Sequence, residues 1–485
     1  MTPASFSYAT IAPALPEIVL LALTGALLVA DLFMRGGRER NATYALAQAT
    51  LAITALVTLG QLGDPRQVVL NGMYVADLLG LVLKVSVIVT VMATLSMGRR
   101  YLALRGLLTG EFLSLALLGT VGMMVMVSAH HFLTLYLGLE LMALSQYAMV
   151  GLERDSARAT EAAMKYFVLG ALASGLLLYG MSMIYGATAS LDLAQVAEAL
   201  ASGNSHAMLG VFGLVFVVSG IAFKLGAAPF HMWIPDVYHG AATATTLYIG
   251  AAPKLAALGF ILRLLAQGLE GMTGEWQQML VVLAVASLLV GNVVAIAQTN
   301  LKRMLAYSTI SHMGFLALGI IAGTGTGYGA ALFYGIAYML MTLGSFGAIL
   351  ILSRAGFEAE NIDDFRGLNQ KSKWYAFMML IVMFSLAGIP PTVGFFAKLV
   401  VLQAVLDAGY TWLVVYAVLL SVVGAFYYLR IVRLMYMEAP AGEITVDAHL
   451  ETRWVLSASC VATLVLGILP APLLDLCVRA IAASM

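Results

Sequence analysis

Charged side chains are rare in this sequence, yet six of them lie inside long apolar stretches. The six are Lys84, Lys165, Lys224, Lys254, Lys398 and Glu140. Burial makes a lysine give up its proton more easily, whereas an arginine stays protonated in proteins. Because all five bases are lysines, the pattern indicates groups that exchange protons rather than groups that only hold a fixed charge.

Glu140 is the acid of this set, and a carboxylate in the middle of a membrane costs ~2.5 kcal/mol or more. We therefore expect a partner across a helix interface, and Lys224 is the natural candidate. A purely structural ion pair is the alternative for Glu140. For Lys84 and Lys165, the alternative is a side chain that extends to the membrane surface.

His312 lies in another apolar segment, Tyr307–Gly314. Histidine can gain or lose a proton near neutral pH, so this residue could relay protons between the lysines. A packing role with hydrogen bonds to neighbouring side chains is the alternative.

Prolines interrupt two apolar helices close to these lysines. Pro229 follows Lys224, while Pro390 and Pro391 precede Lys398, and both copies contain Phe-x-Leu-x-x-x-Pro with a single lysine within two turns. A proline breaks the hydrogen-bond ladder of a helix, and in lipid the freed groups must be buried in protein or line a wet cavity. Paired breaks in two halves are typical of transport sites in inverted repeats. The sequence therefore predicts an ion path along both breaks.

The composition is that of a polytopic membrane protein. Hydrophobic residues make up 61% of the chain and charged residues only 10%, against about one-quarter charged in soluble domains. The formal net charge is zero, which does not suggest a nucleic-acid partner. The two cysteines, Cys460 and Cys477, cannot supply the ligands of a zinc site or an iron–sulfur cluster.

Apolar runs long enough to cross a membrane occur about fourteen times, so we expect an all-α polytopic fold. Two inverted five-helix repeats, each with a proline-broken helix, are predicted in its centre. The expected divisions are helices 1–3 in residues 1–110, a first repeat with helices 4–8 in 111–265, a second repeat with helices 9–13 in 275–437, and a loop with helix 14 in 438–485.

The basic residues outside the spans fall mainly in odd-numbered connections. The first connection contains Arg35, Arg38 and Arg40, and the third contains Arg99 and Arg100. The even-numbered connections and the C-terminus offer only Arg66, Arg263 and Arg479. The positive-inside rule then places the odd connections in the cytoplasm and both termini in the periplasm.

Four motifs together resemble a known family. Residues 229–238 (Pro-Phe-His-Met-Trp-Ile-Pro-Asp-Val-Tyr), 135–140, 301–308 and 388–391 are similar to the antiporter-like membrane subunits of respiratory NADH:quinone oxidoreductase, complex I. The similarity covers essentially the whole chain, although Ile234 and Ala242 stand where threonine and proline are frequent in the family. Two features favour the N-type branch. Lys398 stands where M-type subunits have glutamate, and the sequence after the last span is too short for the long lateral helix of L-type subunits.

This resemblance implies a role for each buried residue. Glu140 and Lys224 would form the acid–base pair of the first half, with Lys165 as a neighbour that tunes Lys224. Lys254 would be the central relay, His312 its extension and Lys398 the exit-side group. Protons would move from the cytoplasm to the periplasm across the bacterial inner membrane, coupled to quinone reduction elsewhere in the complex.

The resemblance also implies partners and cofactors. A neighbouring antiporter-like subunit, small membrane subunits and lipid would surround the chain, which would be a non-redox part of a translocase enzyme. NADH, FMN, the iron–sulfur clusters and quinone would be bound by partner subunits and none by this chain.

Two other interpretations stay open at this stage. The chain could belong to a related multisubunit cation/proton antiporter, whose subunits share these motifs. It could also be a membrane scaffold that no longer translocates protons, although five buried lysines argue against that.

Overall fold

A computed structural model describes residues 8–34, 37–202, 207–440 and 450–485. Arg35, from the first basic connection, lies outside the described residues, as do the side chains of Arg38 and Arg40. The described chain is almost entirely helical, which confirms the expected fold class.

The N-terminal part contains three long helices and a small hairpin. Its elements are α1 (Tyr8–Ile11), a 3-10 turn (Ala12–Ala14), α2 (Leu15–Phe33), α3 (Gly37–Leu59), the antiparallel strands β1 (Gln67–Val69) and β2 (Tyr74–Ala76), and α4 (Leu78–Leu104). The register of the hairpin pairs Val68 with Val75.

The next part contains the first proline break. Its elements are α5 (Gly110–Val127), α6 (Phe132–Val150), α7 (Ala157–Thr188), α8 (Leu193–Ala201), α9 (Ala207–Leu225), α10 (Trp233–Gly240), α11 (Thr243–Gly250), α12 (Ala252–Ile261), a π-helical end (Leu262–Gly268) and a 3-10 turn (Glu270–Met272).

The last part contains the second break. Its elements are α13 (Thr273–Ile296), α14 (Leu301–Ile321), α15 (Gly325–Leu352), a 3-10 turn (Ile362–Phe365), α16 (Leu368–Lys371), α17 (Lys373–Ala387), α18 (Val393–Asp407), α19 (Thr411–Met437), α20 (Leu450–Ile468) and α21 (Ala471–Ala482).

Among the described residues, 13 helices are long and apolar enough to span a membrane. Counting α17 and α18 as one interrupted span gives the expected number of about fourteen. The helix formed by α11, α12 and the π-helical end is buried along its whole length, as are nearly all of α14 and α15. These central helices carry Lys254 and His312, whereas α2, α19 and α20 expose most of their surface to the surroundings.

Side-chain caps define where several spans begin. Thr109, Ser156, Asn300 and Thr324 each accept a hydrogen bond from a backbone N–H three residues further on. Such caps satisfy donors that the first turn of a helix leaves free. The spans α5, α7, α14 and α15 therefore start at positions fixed by local sequence.

Two sequence expectations are corrected by the structure. Arg263 does not lie in a connection, because the span that begins at Thr243 continues through a π-helical end to Gly268. The C-terminal segment has two helices rather than one, since α21 follows α20 and packs against α15. The domain boundaries proposed from the sequence stay a prediction.

Candidate functional site

Both broken helices end in the same way. Gly226 follows α9 with φ +79°, and Gly388 follows α17 with φ +85°. The glycine N–H and the next N–H both bond to one carbonyl, that of Ala222 in the first break and Phe384 in the second. A left-handed glycine closes the last turn at little steric cost. Each helix thus stops several residues before its proline motif.

These matching caps correct the alignment of the two breaks. The Phe-x-Leu-x-x-x-Pro pattern pairs Phe223 with Phe384. In the structure the carbonyl of Ala222, not that of Phe223, has the role of the Phe384 carbonyl. The pattern is therefore offset by one residue from the structural equivalence.

A buried lysine occupies each helix end. The amine of Lys254 donates to the carbonyls of Leu225 at 2.8 Å and Lys224 at 3.3 Å. The amine of Lys398 donates to the carbonyls of Ala387 at 2.9 Å and Leu386 at 3.2 Å. The C-terminus of a helix carries partial negative charge and favours a cation there. Structural equivalence therefore pairs Lys398 with Lys254, whereas the sequence motif pairs it with Lys224.

Lys254 is positioned by a further helix interruption that the sequence reasoning missed. The span breaks at Ala251 between α11 and α12, and Pro253 occupies the first turn of α12 directly before Lys254. Proline is tolerated in the first turn of a helix because its missing N–H has no partner there. The sequence Ala252-Pro253-Lys254 was a readable signal for this start.

Lys254 and Lys398 each also have an aromatic ring beside the amine. The Lys254 amine lies 5.1 Å from the ring centre of Trp233, and the Lys398 amine lies 5.0 Å from that of Phe315. Lys398 makes one further hydrogen bond, to the hydroxyl of Ser421 at 2.9 Å. All of these hydrogen-bond acceptors are neutral, so in the described residues no carboxylate holds either amine in its charged form.

Glu140 and Lys224 do not form the expected ion pair. Glu140 lies on the face of α6 that also exposes Leu137 and Leu144, and α7 packs against both α6 and α9. Lys224 lies in the last turn of α9, with its amine 6.0 Å from the ring centre of Tyr147. Glu140 is half-buried on that face with its Oε1 buried, and its charge still acts on Lys224, so the two residues are neighbours without direct contact.

Polar atoms without protein partners lie around these residues. In the described part of the chain, Glu140 Oε1, Gln146 Nε2 and Tyr147 Oη are buried and make no hydrogen bond. A cavity of about 10 Å³, lined in part by Gln146, Lys224 and Lys254, lies between the two lysines. Buried polar groups normally bond to protein or to ordered water, and this volume is close to the minimum for one water. The region suits a short water bridge between Lys224 and Lys254.

His312 lies at the centre of a tyrosine network. Its Nδ1 is 2.6 Å from the hydroxyl of Tyr334, and its Nε2 is 3.2 Å from that of Tyr428. Tyr428 also contacts Ser308 at 2.5 Å. The ring of Tyr338 lies 5.2 Å from that of His312 between centroids, and its hydroxyl donates to Thr309. These groups come from α14, α15 and α19, and α15 packs against both α12, which carries Lys254, and α18, which carries Lys398.

Lys165 lies in a different place from the one expected. Its amine pairs with Asp236 and Glu161, each at 2.8 Å, and the side chain is 43% exposed. Asp236 also accepts from Arg303 at 2.9 Å. Because α7 extends beyond the apolar core, Lys165 belongs to a surface ion-pair cluster and does not contact Lys224.

A loop on the same surface, between α15 and α17, forms ion pairs with residues of the N-terminal half of the chain. Glu360 pairs with Arg158 at 2.9 Å, and Glu358 pairs with Arg105 at 2.5 Å. Burial alone would raise the pKa of Glu360, but the hydrogen bond and charge of Arg158 together with Lys302 lower it below the usual value. The loop between α15 and α17 is therefore held to α7 and to the end of α4 at neutral pH.

Lys84 is buried but lies apart from the lysine-capped helix ends. Its amine is 2.7 Å from Glu17 Oε1 and 2.6 Å from the hydroxyl of Tyr74, which also donates to Glu17 at 2.9 Å. The partner of Lys84 is thus an acid at the start of α2, and the side chain does not extend to the membrane surface. A carboxylate favours the charged form of the lysine, so this site differs in chemistry from Lys254 and Lys398.

Comparison with known proteins identifies the family. The family described as NADH:quinone oxidoreductase/Mrp antiporter, membrane segment, matches residues 129–424. NADH-quinone oxidoreductase subunit N of Thiobacillus denitrificans is 59% identical over 473 residues, which is 98% of each chain. The chain belongs to the subunit N family. The resemblance inferred from the four motifs, including the preference for the N-type branch, is confirmed.

Solved structures of other proteins have the same fold. A chain of respiratory complex I from Thermus thermophilus, determined with bound aureothin, superposes with a TM-score of 0.81 at 30% identity and covers 95% of this chain and 98% of that chain. A chain of the Mrp complex from Dietzia sp. DQ12-45-1b has the same fold, with a TM-score of 0.81 at 21% identity and coverage of 96% and 97%.

Proposed function

We propose that the chain is a proton-translocating membrane subunit of NADH:quinone oxidoreductase. The observation that carries this proposal is the matched pair of helix ends, each with a buried lysine held only by neutral acceptors, and the His312 network, which includes α15 beside the helices of both lysines. A lysine without a carboxylate partner can release its proton at modest cost, because burial already opposes its charge. Two such lysines and a histidine form the core of a proton relay.

The proposed path runs along the membrane plane. Lys224 exchanges a proton with Lys254 through the small cavity that both residues line. The proton passes from Lys254 towards His312 and its tyrosines, and then to Lys398, whose amine reaches Ser421 on α19. Lys165 has no step in this path and instead belongs to the ion-pair cluster at the surface.

Glu140 has a different role from the one implied by the family resemblance alone. The exposed side chains of Leu137 and Leu144 on the same face of α6 support a position of the carboxylate near a neighbouring membrane subunit. A charge supplied or withdrawn there changes the field at Lys224 and thereby its tendency to hold a proton. Moving one charge through the membrane costs ~2.3 kcal/mol per 100 mV, which is within the range of such electrostatic changes.

The partners, cofactors and orientation belong to the same proposal. Other membrane subunits of the complex and lipid surround the chain, while NADH, FMN, iron–sulfur clusters and quinone are bound by partner subunits. Both termini lie in the periplasm of the bacterial inner membrane, as the positive-inside rule requires. The two halves, residues 111–265 and 275–437, act as inverted half-channels.

The test is proton translocation per NADH oxidised in membrane vesicles that carry Lys254→Arg. Arginine keeps a positive charge at the end of α9 but cannot release a proton. We expect translocation to fall by roughly tenfold or more, since a positioned proton-transfer group typically contributes at least that much. Lys84→Arg is the matched control, because Lys84 needs only its charge to pair with Glu17.

Assembly of the complex is measured in both variants by the amount of each subunit in the membrane. If Lys254→Arg assembles and translocates protons at the normal ratio, the residue is a fixed charge and the proposed relay is wrong. Loss of translocation in both variants would show a general sensitivity to arginine in the membrane and would also contradict the proposal.

A further inference from the structure

A cavity that none of the relay lysines lines lies at the end of the molecule that carries the hairpin. It has a volume of about 760 Å³ and lies between the ends of α2, α3 and α4. We name it the hairpin cavity, and its lining includes Leu15, Val57, Gln61, Arg66, Leu78 and Leu81. A space of this size is within the range of sites for small organic molecules.

The deep charges of the hairpin cavity are already neutralised within the protein. Lys84 is paired with Glu17 at 2.7 Å, and Asp77 is paired with both terminal nitrogens of Arg263 at 2.6 Å and 2.7 Å. The remaining inner wall is largely apolar. The floor therefore offers an apolar surface rather than a net charge to whatever occupies the cavity.

The rim of the hairpin cavity carries two free charges of opposite sign. Asp64 and Arg66 are both exposed, lie two residues apart and line the cavity. Within the described part of the chain, neither side chain forms an ion pair. One unpaired anion and one unpaired cation two residues apart complement a group that itself carries both charges.

The surroundings of the rim are apolar. The hairpin exposes Val68, Leu70 and Met73, and the turn after α3 exposes Leu62 to 63%. Exposed apolar side chains beside charged ones at the end of a membrane span are typical of the boundary between lipid and water. The cavity thus connects a polar rim with an apolar interior at the membrane surface.

We propose that the hairpin cavity binds one phospholipid with a zwitterionic phosphoethanolamine headgroup. The phosphate pairs with Arg66, the ammonium group pairs with Asp64, and an acyl chain lies against Leu78 and Leu81. An anionic lipid would leave Asp64 facing a negative headgroup. This site is independent of proton translocation by the lysine relay.

The test uses the full chain in native membranes supplied with a photoactivatable phosphatidylethanolamine that carries its reactive group near the start of one acyl chain. Labelled peptides are mapped by mass spectrometry. We expect labelling within residues 57–66 and 78–84 of the unmodified protein. Replacing both charges, with Asp64→Asn and Arg66→Gln, should lower this labelling by about tenfold, as expected for the loss of charge-assisted contacts.

Asp475→Asn with Arg479→Gln is the matched control. These two residues are also exposed and of opposite sign, but they lie on α21 outside the cavity lining. Labelling should be unchanged in this control. A second variant, Leu81→Trp, fills the cavity without changing its charges and should abolish labelling at residues 57–66.

Three results would overturn the proposal. Labelling that persists in both the charge variant and Leu81→Trp would show that the cavity is not the site. Stronger labelling by an otherwise identical phosphatidylglycerol probe would contradict the zwitterionic headgroup. A photoreactive amino acid at position 81 that crosslinks to another subunit instead of lipid would show that a protein fills the cavity.

Discussion

Lys84, Lys254 and Lys398 are all buried, and they fall into two chemical classes according to what each amine contacts. Lys254 and Lys398 bond to backbone carbonyls and a hydroxyl, whereas Lys84 bonds to the carboxylate of Glu17. A neutral acceptor offers no charge to hold the proton, whereas a carboxylate favours the charged amine. The residue type alone does not separate the two classes, but the partner atoms do.

The tyrosines around His312 extend this chemistry between the lysines. Tyr428→Phe removes the hydroxyl next to His312 Nε2 and leaves a buried nitrogen without its partner, at a cost of ~1–3 kcal/mol. We expect proton translocation per NADH to fall by roughly tenfold if this hydroxyl carries protons. Vesicle measurements of the proton-to-electron ratio check this expectation.

Tyr416→Phe is the control for this substitution. Tyr416 lies on the same helix, but its hydroxyl donates to the carbonyl of Val285 and does not contact His312. Equal translocation in the two variants would mean that the Tyr428 hydroxyl only packs, and the relay would then need another route to Lys398.

At the scale of elements, the helix ends rather than the prolines place the lysines. α9 ends at Leu225 and α17 ends at Ala387, and in each case a left-handed glycine follows directly. The prolines keep the chain from resuming the helix immediately. The carbonyls at these ends face a lysine from another segment, so the gap between helix segments is itself the binding site for the amine.

Gly388→Ala tests this arrangement. A non-glycine residue at φ +85° pays roughly 1–2 kcal/mol of strain, and a Cβ there would lie 2.9 Å from Lys398 Cδ. We expect the Lys398 amine to be displaced from its carbonyls and proton translocation to fall. The measurement is again the proton-to-electron ratio, together with the amount of assembled complex.

Gly409→Ala is the control that separates backbone strain from displacement of the Lys398 amine. Gly409 has a similar φ of +87°, but nothing lies within 4 Å of an added Cβ. This variant should lose a similar amount of stability and keep its translocation. If both glycine variants translocate equally well, the contact between Gly388 and Lys398 has no functional importance.

At the scale of the whole molecule, a fully buried ion pair joins distant parts of the chain. Arg263 at the π-helical end of the central span binds Asp77, the N-terminal cap of α4, through two hydrogen bonds. Ser484, the residue after α21 and its C-cap, joins the same cluster through hydrogen bonds with Leu79 and Gln267. Three segments far apart in sequence are thereby fixed at one end of the helix bundle.

Arg263→Met should destabilise the protein by ~3–5 kcal/mol, because it leaves Asp77 buried without its partner. Thermal unfolding of the purified protein in detergent measures this loss. Arg479→Met is the control, since Arg479 is exposed on α21 and should change the midpoint little. An Arg263→Met variant as stable as the control would mean that water reaches Asp77 in the folded protein.

The sequence by itself determined most of the spans, the two proline-containing breaks and the position of Lys84, Lys224, Lys254 and Lys398 within spans, but not the break before Lys254 or the surface position of Lys165. Long apolar runs have few alternatives to a membrane helix, and prolines and glycines act on the backbone locally, so these features need no knowledge of distant contacts. The motifs around Pro229 and Glu140 were equally local, and the family that they indicated was confirmed by the comparisons.

Only the tertiary structure decided which partner each charged group has. Lys84 pairs with Glu17 and does not extend to the membrane surface, Lys165 pairs with Asp236 and not with Lys224, and Glu140 is half-buried without a salt bridge to Lys224. A long side chain reaches several ångströms, and its direction depends on the rotation of its helix and on the neighbouring helix. The spacing of residues along the sequence predicts neither of these two factors. Whether a lysine holds or releases its proton depends on that partner. This property can therefore be inferred only from the packed arrangement of the helices.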